Sequence, residues 1–157
     1  LDCLLVIYSD FNYKEDTAMV DQNCAYCMEG ELVAKFGIKI CELETSKVYL
    51  FKEQSHPGRC IVAHKKHVGD MNELTAEERA AYFEDVARVA RAIMKAFNPD
   101  KVNYGAYGDT GHHLHFHLCP KYKDEYEWGG VFLMNPDKKY LTDAEYTEMI
   151  EKIKANL

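Results

Sequence analysis

The sequence contains no apolar run long enough to span a bilayer, which excludes a transmembrane helix anchor. It has few chain-breaking residues, with 4 prolines and 9 glycines in 157 residues. No Pro/Gly-rich linker, low-complexity tract or internal repeat divides it, so one domain is expected over 1–157. Positive charge is also scarce: 19 Lys plus Arg stand against 26 Asp plus Glu, a formal net charge of −7. Proteins that grip nucleic acid by its phosphate backbone lean the other way, so polymeric nucleic acid is not an expected partner, and neither is a membrane. The opening LDCLLVIYSD is apolar only over 3–8 and lacks a basic flank. No secretory leader is expected there, and the expected compartment is the cytoplasm.

What is present is a folding composition, with 47% hydrophobic and 29% charged residues. The six cysteines fall at 3, 24, 27, 41, 60 and 119. A chain of this length does not need disulfide staples, so reduced thiols are expected. Cys24 and Cys27 form the one CxxC pair, a spacing that points to metal or redox chemistry; the other four suit small core or half-buried positions.

Residues 11–30 are polar and lead into three β-like segments, at 33–41, 47–52 and 59–64, the last following the turn His56-Pro57-Gly58. A long helix is predicted over Ala76–Phe97. Thr75 and Glu78 make a capping box, Tyr82, Val86, Val89, Ile93 and Phe97 line one face, and Asn98-Pro99 ends it. Two further strands, 102–107 and 113–119, flank the turn 108–111, and a second capping box, Thr142 to Glu145, starts a final helix. This order implies an α+β fold with a mainly antiparallel sheet of about five strands, one long helix and a C-terminal helix. Residues 1–23 read as an N-terminal extension, 24–122 as the core, and 123–157 as a C-terminal tail and helix.

Four of the seven histidines fall within six residues: His112, His113, His115 and His117. In HHLHFHLCP the last three alternate with Leu114, Phe116 and Leu118. On a strand they would share one face at roughly 6.6–6.8 Å spacing while the other face is apolar. A solvated polar face would explain a lone histidine better than three in register. Two chemical readings remain open. One is a catalytic metal held by the histidines, which would need a further ligand and an open position. The other is nucleophilic catalysis by a neutral imidazole at phosphorus, with a neighbouring imidazole donating to a phosphoryl oxygen. The second ranks first, because the apolar back face would hold the array rigid.

The segment His113-Leu114-His115-Phe116-His117-Leu118-Cys119 resembles the His-φ-His-φ-His-φ-φ signature of the histidine triad (HIT) superfamily. Gly108-Asp109-Thr110-Gly111-His112-His113 is similar to that family's approach to its triad, and Asn103 stands one residue short of the spacing of its phosphate-binding Asn. A second block, from Gly58 to His67, resembles the family's Gly-His-x-Leu-Val-Ile-Pro-Lys-x-His segment, and the CxxC matches zinc-containing members. The resemblance runs from about Cys24 to Tyr122. It implies a hydrolase acting at the α-phosphate of a nucleoside phosphoramidate or dinucleoside polyphosphate, with a purine nucleotide as substrate. His115 would be the nucleophile that forms a nucleotidyl-histidine, His117 would donate to a phosphate oxygen, and Asn103 and Thr110 would hold the phosphate. It further implies structural zinc on Cys24, Cys27, His67 and the first triad residue His113, no organic cofactor, and a homodimer paired through the long helix and a strand. His at 117, where nucleotidyltransferase relatives carry Gln, favours hydrolysis over transfer.

Four positions depart from the family. Arg59 replaces a further active-site His and is expected to contact phosphate, joining Lys65 and Lys66 in a local anion site. His64 replaces a Pro. Asp109 replaces Gln beside the site. Phe51 stands where an acidic residue usually holds the ribose hydroxyls, leaving Glu53 as the nearest substitute. These departures keep alive a non-catalytic nucleotide-binding or scaffolding role, which predicts binding without turnover. Trp128 reads either as cover for a sheet edge or as a residue reaching toward the substrate.

Overall fold

The structure, a computed structural model, describes residues 20–157. Most of the N-terminal extension expected over 1–23, with Cys3 and the apolar stretch 3–8, lies outside the described residues. Two short helices, α1 (Ala25–Met28) and α2 (Gly30–Ala34), precede strands β1 (Gly37–Glu42), β2 (Ser46–Phe51) and β3 (Cys60–His64). Helix α3 (Ala76–Phe97) follows, then β4 (Lys101–Gly105), β5 (His115–Lys121) and α4 (Asp143–Lys154). The five strands form one antiparallel sheet in the order β1-β2-β3-β5-β4.

The α3 boundaries coincide with those predicted because the Thr75–Glu78 capping box forms reciprocally, and Asn98, in the left-handed conformation, closes the other end. The Thr142–Glu145 box likewise starts α4. The first strand is shorter than expected: Val33 sits in α2, and the apolar periodicity over 33–41 spans a helix end and a strand start. The histidine strand also begins later, at His115, so His113 lies in the approach to β5 rather than on it.

The two faces of the sheet differ. Helices α3 and α4 cover one face, where Val48, Leu50, Val62, Phe116 and Leu118 meet Tyr82, Val86, Val89, Ile93 and Ile150. Asp85 of α3 ties this layer to the β1–β2 turn, accepting from Thr45 N, Thr45 Oγ1 and Ser46 Oγ at 2.8–2.9 Å. The opposite face carries Tyr49, Phe51, Ile61 and Ala63, covered by Tyr26 and Val33 from the short helices. His115 pairs with Ala63 and His117 with Ile61, so the imidazoles belong to this second face. Helix α1 and the C-terminal segment flank it and leave the imidazoles under a cavity.

That C-terminal segment is held by buried polar side chains. Lys121 Nζ donates to Glu127 O and, at 3.4 Å, to Gly130 O. Glu127 takes a hydrogen bond from His56 Nε2 at 2.8 Å and another from Leu133 N at 3.2 Å. Glu53 accepts from Lys138 N and Lys139 N at 3.2 and 3.0 Å, and Gln54 N donates to Lys139 O at 2.8 Å. Gly105 permits the final packing step, since a Cβ there would sit 2.5 Å from the Tyr107 ring and 2.7 Å from that of Phe132.

Candidate active site

A cavity of about 890 Å³ opens over the imidazole face. His113, His115 and His117 form its floor, and Asp109, Thr110 and Gly111 of the turn before β5 form one rim. Tyr26, Phe36, Phe51, Tyr107 and Phe132 make its aromatic wall, continued by Leu133 and Met134.

Each triad ring has one nitrogen committed to a group of fixed sense, and these commitments assign its protons. His115 Nδ1 lies 2.7 Å from the carbonyl oxygen of His113. A carbonyl can only accept, so Nδ1 carries the hydrogen and Nε2 keeps its lone pair. His113 Nε2 donates to the carbonyl of His64 at 2.7 Å, which leaves Nδ1 as the free lone pair. His117 is set the other way. Arg59 Nη2 donates to its Nδ1 at 3.2 Å, so the neutral ring carries its hydrogen on Nε2. Adjacent rings of one strand thus present a lone pair and an N–H side by side, their centroids 5.2 Å apart.

Burial keeps all three neutral. It moves His113 down to about 4 and His115 below the usual histidine range. His117 falls to about 2 through burial, then the Arg59 charge, then His115. Tyr26 rests on both neighbouring rings, 5.1 Å from His113 and 5.0 Å from His115.

Cys24, Cys27, His67 and His113 come together with all four ligand atoms within 4.8 Å of one another. His113 Nδ1 lies 3.3 Å from Cys24 Sγ, 3.3 Å from His67 Nδ1 and 3.7 Å from Cys27 Sγ. A tetrahedral ion with bonds of about 2.0–2.1 Å to nitrogen and about 2.3 Å to sulfur would have edges of about 3.3–3.8 Å between its ligands. The free lone pair of His113 points into this group, and the donor set fits a metal ion. The predicted four residues are therefore brought together.

The remaining expected residues are distributed unevenly. Asp109 and Thr110 line the cavity. Asn103 sits on edge strand β4 opposite Cys119, on the imidazole face but outside the cavity lining. Arg59 is fully buried behind Phe51. Glu53 does not substitute for the family's ribose-binding acid, because it is buried and engaged with Ser55 and the backbone of 138 and 139. Nor do Lys65 and Lys66 join an anion site. Lys65 Nζ caps the carbonyls of Leu43 and Glu44, and Lys66 pairs with Glu78. His64 is buried, its ring against Tyr82 at 5.1 Å. Trp128 is 42% exposed and outside the cavity.

Sequence reasoning missed Tyr26, Phe36, Tyr107, Phe132, Leu133 and Met134. The last three carried a legible signal, as Val131–Met134 is the one apolar run in an otherwise polar tail.

A five-stranded antiparallel sheet with a long crossing helix, two strand histidines and a third just before the strand, all of assigned tautomer, defines a histidine triad protein. The HIT domain sequence model matches residues 37–124, and the chain belongs to that family. Among curated relatives, the adenosine 5′-monophosphoramidase hnt1 of Schizosaccharomyces pombe is 28% identical over 141 residues, spanning 84% of this chain and 99% of its own. The bis(5′-adenosyl)-triphosphatase of Dictyostelium discoideum is 28% identical over 98 residues, spanning 59% of this chain and 65% of its own. Among solved structures, a HIT protein from Sinorhizobium meliloti superposes with a TM-score of 0.75 at 23% identity, covering 82% of this chain and 95% of its own. A Zn-bound HIT family protein from Mycobacterium smegmatis superposes with a TM-score of 0.57 at 22% identity, covering 76% and 83%.

Proposed function

We propose that the protein hydrolyses a nucleotide at its α-phosphate, with His115 as nucleophile. The observation that carries this reading is the pair of opposite tautomers on neighbouring rings: a lone pair at His115 Nε2 beside an N–H at His117 Nε2. Attack by His115 Nε2 forms a P–N bond and breaks the bond from phosphorus to the leaving group, which takes up a proton from water. Water then attacks the same phosphorus, releases the nucleoside monophosphate and restores the imidazole. His117 Nε2–H stabilises the charge that builds on a non-bridging oxygen. Thr110, on the cavity rim, would hold the phosphate, and the aromatic wall would take the purine base. Relatives named as an adenosine monophosphoramidase and a dinucleoside triphosphatase support the reaction class.

The charged side chains among the described lining residues are Asp21 and Asp109. The extra phosphates of a dinucleoside polyphosphate would face these carboxylates, whereas an amine leaving group would not. A nucleoside phosphoramidate is therefore the better substrate.

Zinc on Cys24, Cys27, His67 and His113 would be structural, since two thiolates and two imidazoles close its coordination. It would fasten α1 to the triad and leave His113 no acid–base role. A homodimer would use α3 and edge strand β4, whose outer side no described strand covers. Nucleoside 5′-phosphoramidate and diadenosine tetraphosphate, each incubated with wild type and His115→Ala, test the function. Turnover by wild type and none by the variant is expected, with faster cleavage of the phosphoramidate. Turnover of neither, or full activity without His115, would overturn the reading. Elemental analysis of wild type and Cys27→Ala tests the zinc.

A further inference from the structure

Among the described residues Arg59 heads the fully buried side chains by size, and the reaction above gives it no contact with substrate. Its guanidinium carbon lies 4.3 Å from the centroid of the Phe51 ring and 4.9 Å from that of Phe132. Nη1 donates to Leu133 O at 3.1 Å, while Nη2 lies 3.2 Å from both His117 Nδ1 and Met134 Sδ. Nε has no partner. Among the described residues no carboxylate pairs with this cation. Burying a charge without a counter-ion is costly, and two aromatic faces and neutral acceptors offset only part of that cost. The carboxylates of Glu53 and Glu127 act on it without contact, and a phosphate before His117 would add counter-charge.

We propose that Arg59 is a positioning residue that locks His117 as its Nε2–H tautomer and couples that ring to the C-terminal segment walling the cavity. The inference rests on the preceding reading only in placing a phosphate before His117; the lock itself belongs to the substrate-free protein. A neutral imidazole exchanges freely between two tautomers, and the wrong one would turn a lone pair toward a phosphate oxygen. Arginine cannot accept a hydrogen bond, so its contact removes that choice. A planar fork reaches His117, Leu133 O and Met134 at once, which the point charge of a lysine cannot do. The same side chain therefore reads whether 132–134 is in place and whether His117 can donate.

The test uses imidazole 15N–1H correlation spectra of substrate-free wild type, Arg59→Lys and Arg59→Met at pH 7.5, with kcat and KM for a nucleoside phosphoramidate. Wild type should show His117 protonated at Nε2 alone. Arg59→Met should show both tautomers and faster amide exchange across 131–134. Its kcat should fall about ten- to hundredfold, the range expected for losing one charged hydrogen bond, with a smaller change in KM. Arg59→Lys should lie between. A wild-type His117 protonated at Nδ1 overturns the proposal, as does a folded Arg59→Met that keeps pure Nε2–H and wild-type kcat. Should Arg59→Met not fold, the wild-type and Arg59→Lys spectra still decide. If wild type turns over no nucleotide, the hydrolase reading fails, while the ring spectra judge the lock separately.

Discussion

Replacing Glu127 with alanine tests whether the cavity wall is held from behind. Its carboxylate takes hydrogen bonds from His56 Nε2 at 2.8 Å and Leu133 N at 3.2 Å. His56 is 2% exposed, so the variant leaves a buried imidazole without this partner. A hydrogen bond to a charged group contributes about 1.5–3 kcal/mol. The Leu133 contact is more exposed and adds less, so the segment should lose about 2–4 kcal/mol. The loss should stay local, because Glu53, Gln54 and Lys121 grip the same segment elsewhere. At every 1.4 kcal/mol a factor of ten, amide exchange at Gly130, which donates to Glu127 O, should speed up about thirtyfold or more. Exchange at Gln54, whose amide donates to Lys139 O, should change far less. Since 132–134 line the cavity, KM should rise more than kcat falls, and Glu127→Gln, which keeps one acceptor oxygen, should recover most of both. A folded Glu127→Ala with unchanged Gly130 exchange and unchanged KM would refute the reasoning.

Two further perturbations bear on the scaffold and on pH. Asp85→Ala strands three donors at the β1–β2 turn and should cost about 3 kcal/mol, lowering Tm by about 6–12 °C for a chain of this size. Its kcat at 25 °C should be unchanged, so a calorimetric shift under 2 °C would contradict the assigned role. Native His117 stays neutral down to about 2, whereas the unfolded imidazole takes a proton near 6.5. Protons then bind only to the unfolded state, so stability falls as pH drops below 6.5, by about 1.4 kcal/mol per pH unit for this ring. Urea midpoints at pH 7.5, 6.5 and 5.5 should show this slope reduced in His117→Gln; equal slopes would exclude it.

The long helix and the succession of strands and helices along the chain were legible because their signals are local and redundant, whereas the order β1-β2-β3-β5-β4 within the sheet was not. α3 has a capping box, a five-residue apolar stripe and an Asn stop, each sufficient to place an end or a face. The grouping of Cys24, Cys27, His67 and His113 was legible by resemblance, although its members span 24 to 113. Errors gathered where a residue's partner is remote in sequence. Nothing near Glu53 announces that residues 138 and 139 will occupy it, and nothing near Arg59 announces His117. The charge of Lys65 and Lys66 is visible in the sequence, while the carbonyls of Leu43 and Glu44 that take Lys65 and the Glu78 carboxylate that takes Lys66 are not. The apolar neighbours of Val33 fit both the strand and the helix period over so short a window, so the pattern alone does not separate α2 from β1.

Histidines and apolar wall are furnished by one copy of the chain, with Phe132, Leu133 and Met134 folding back over their own triad. The wall and the histidines it covers are therefore inherited together, and a substitution at 132–134 acts on the triad of its own chain.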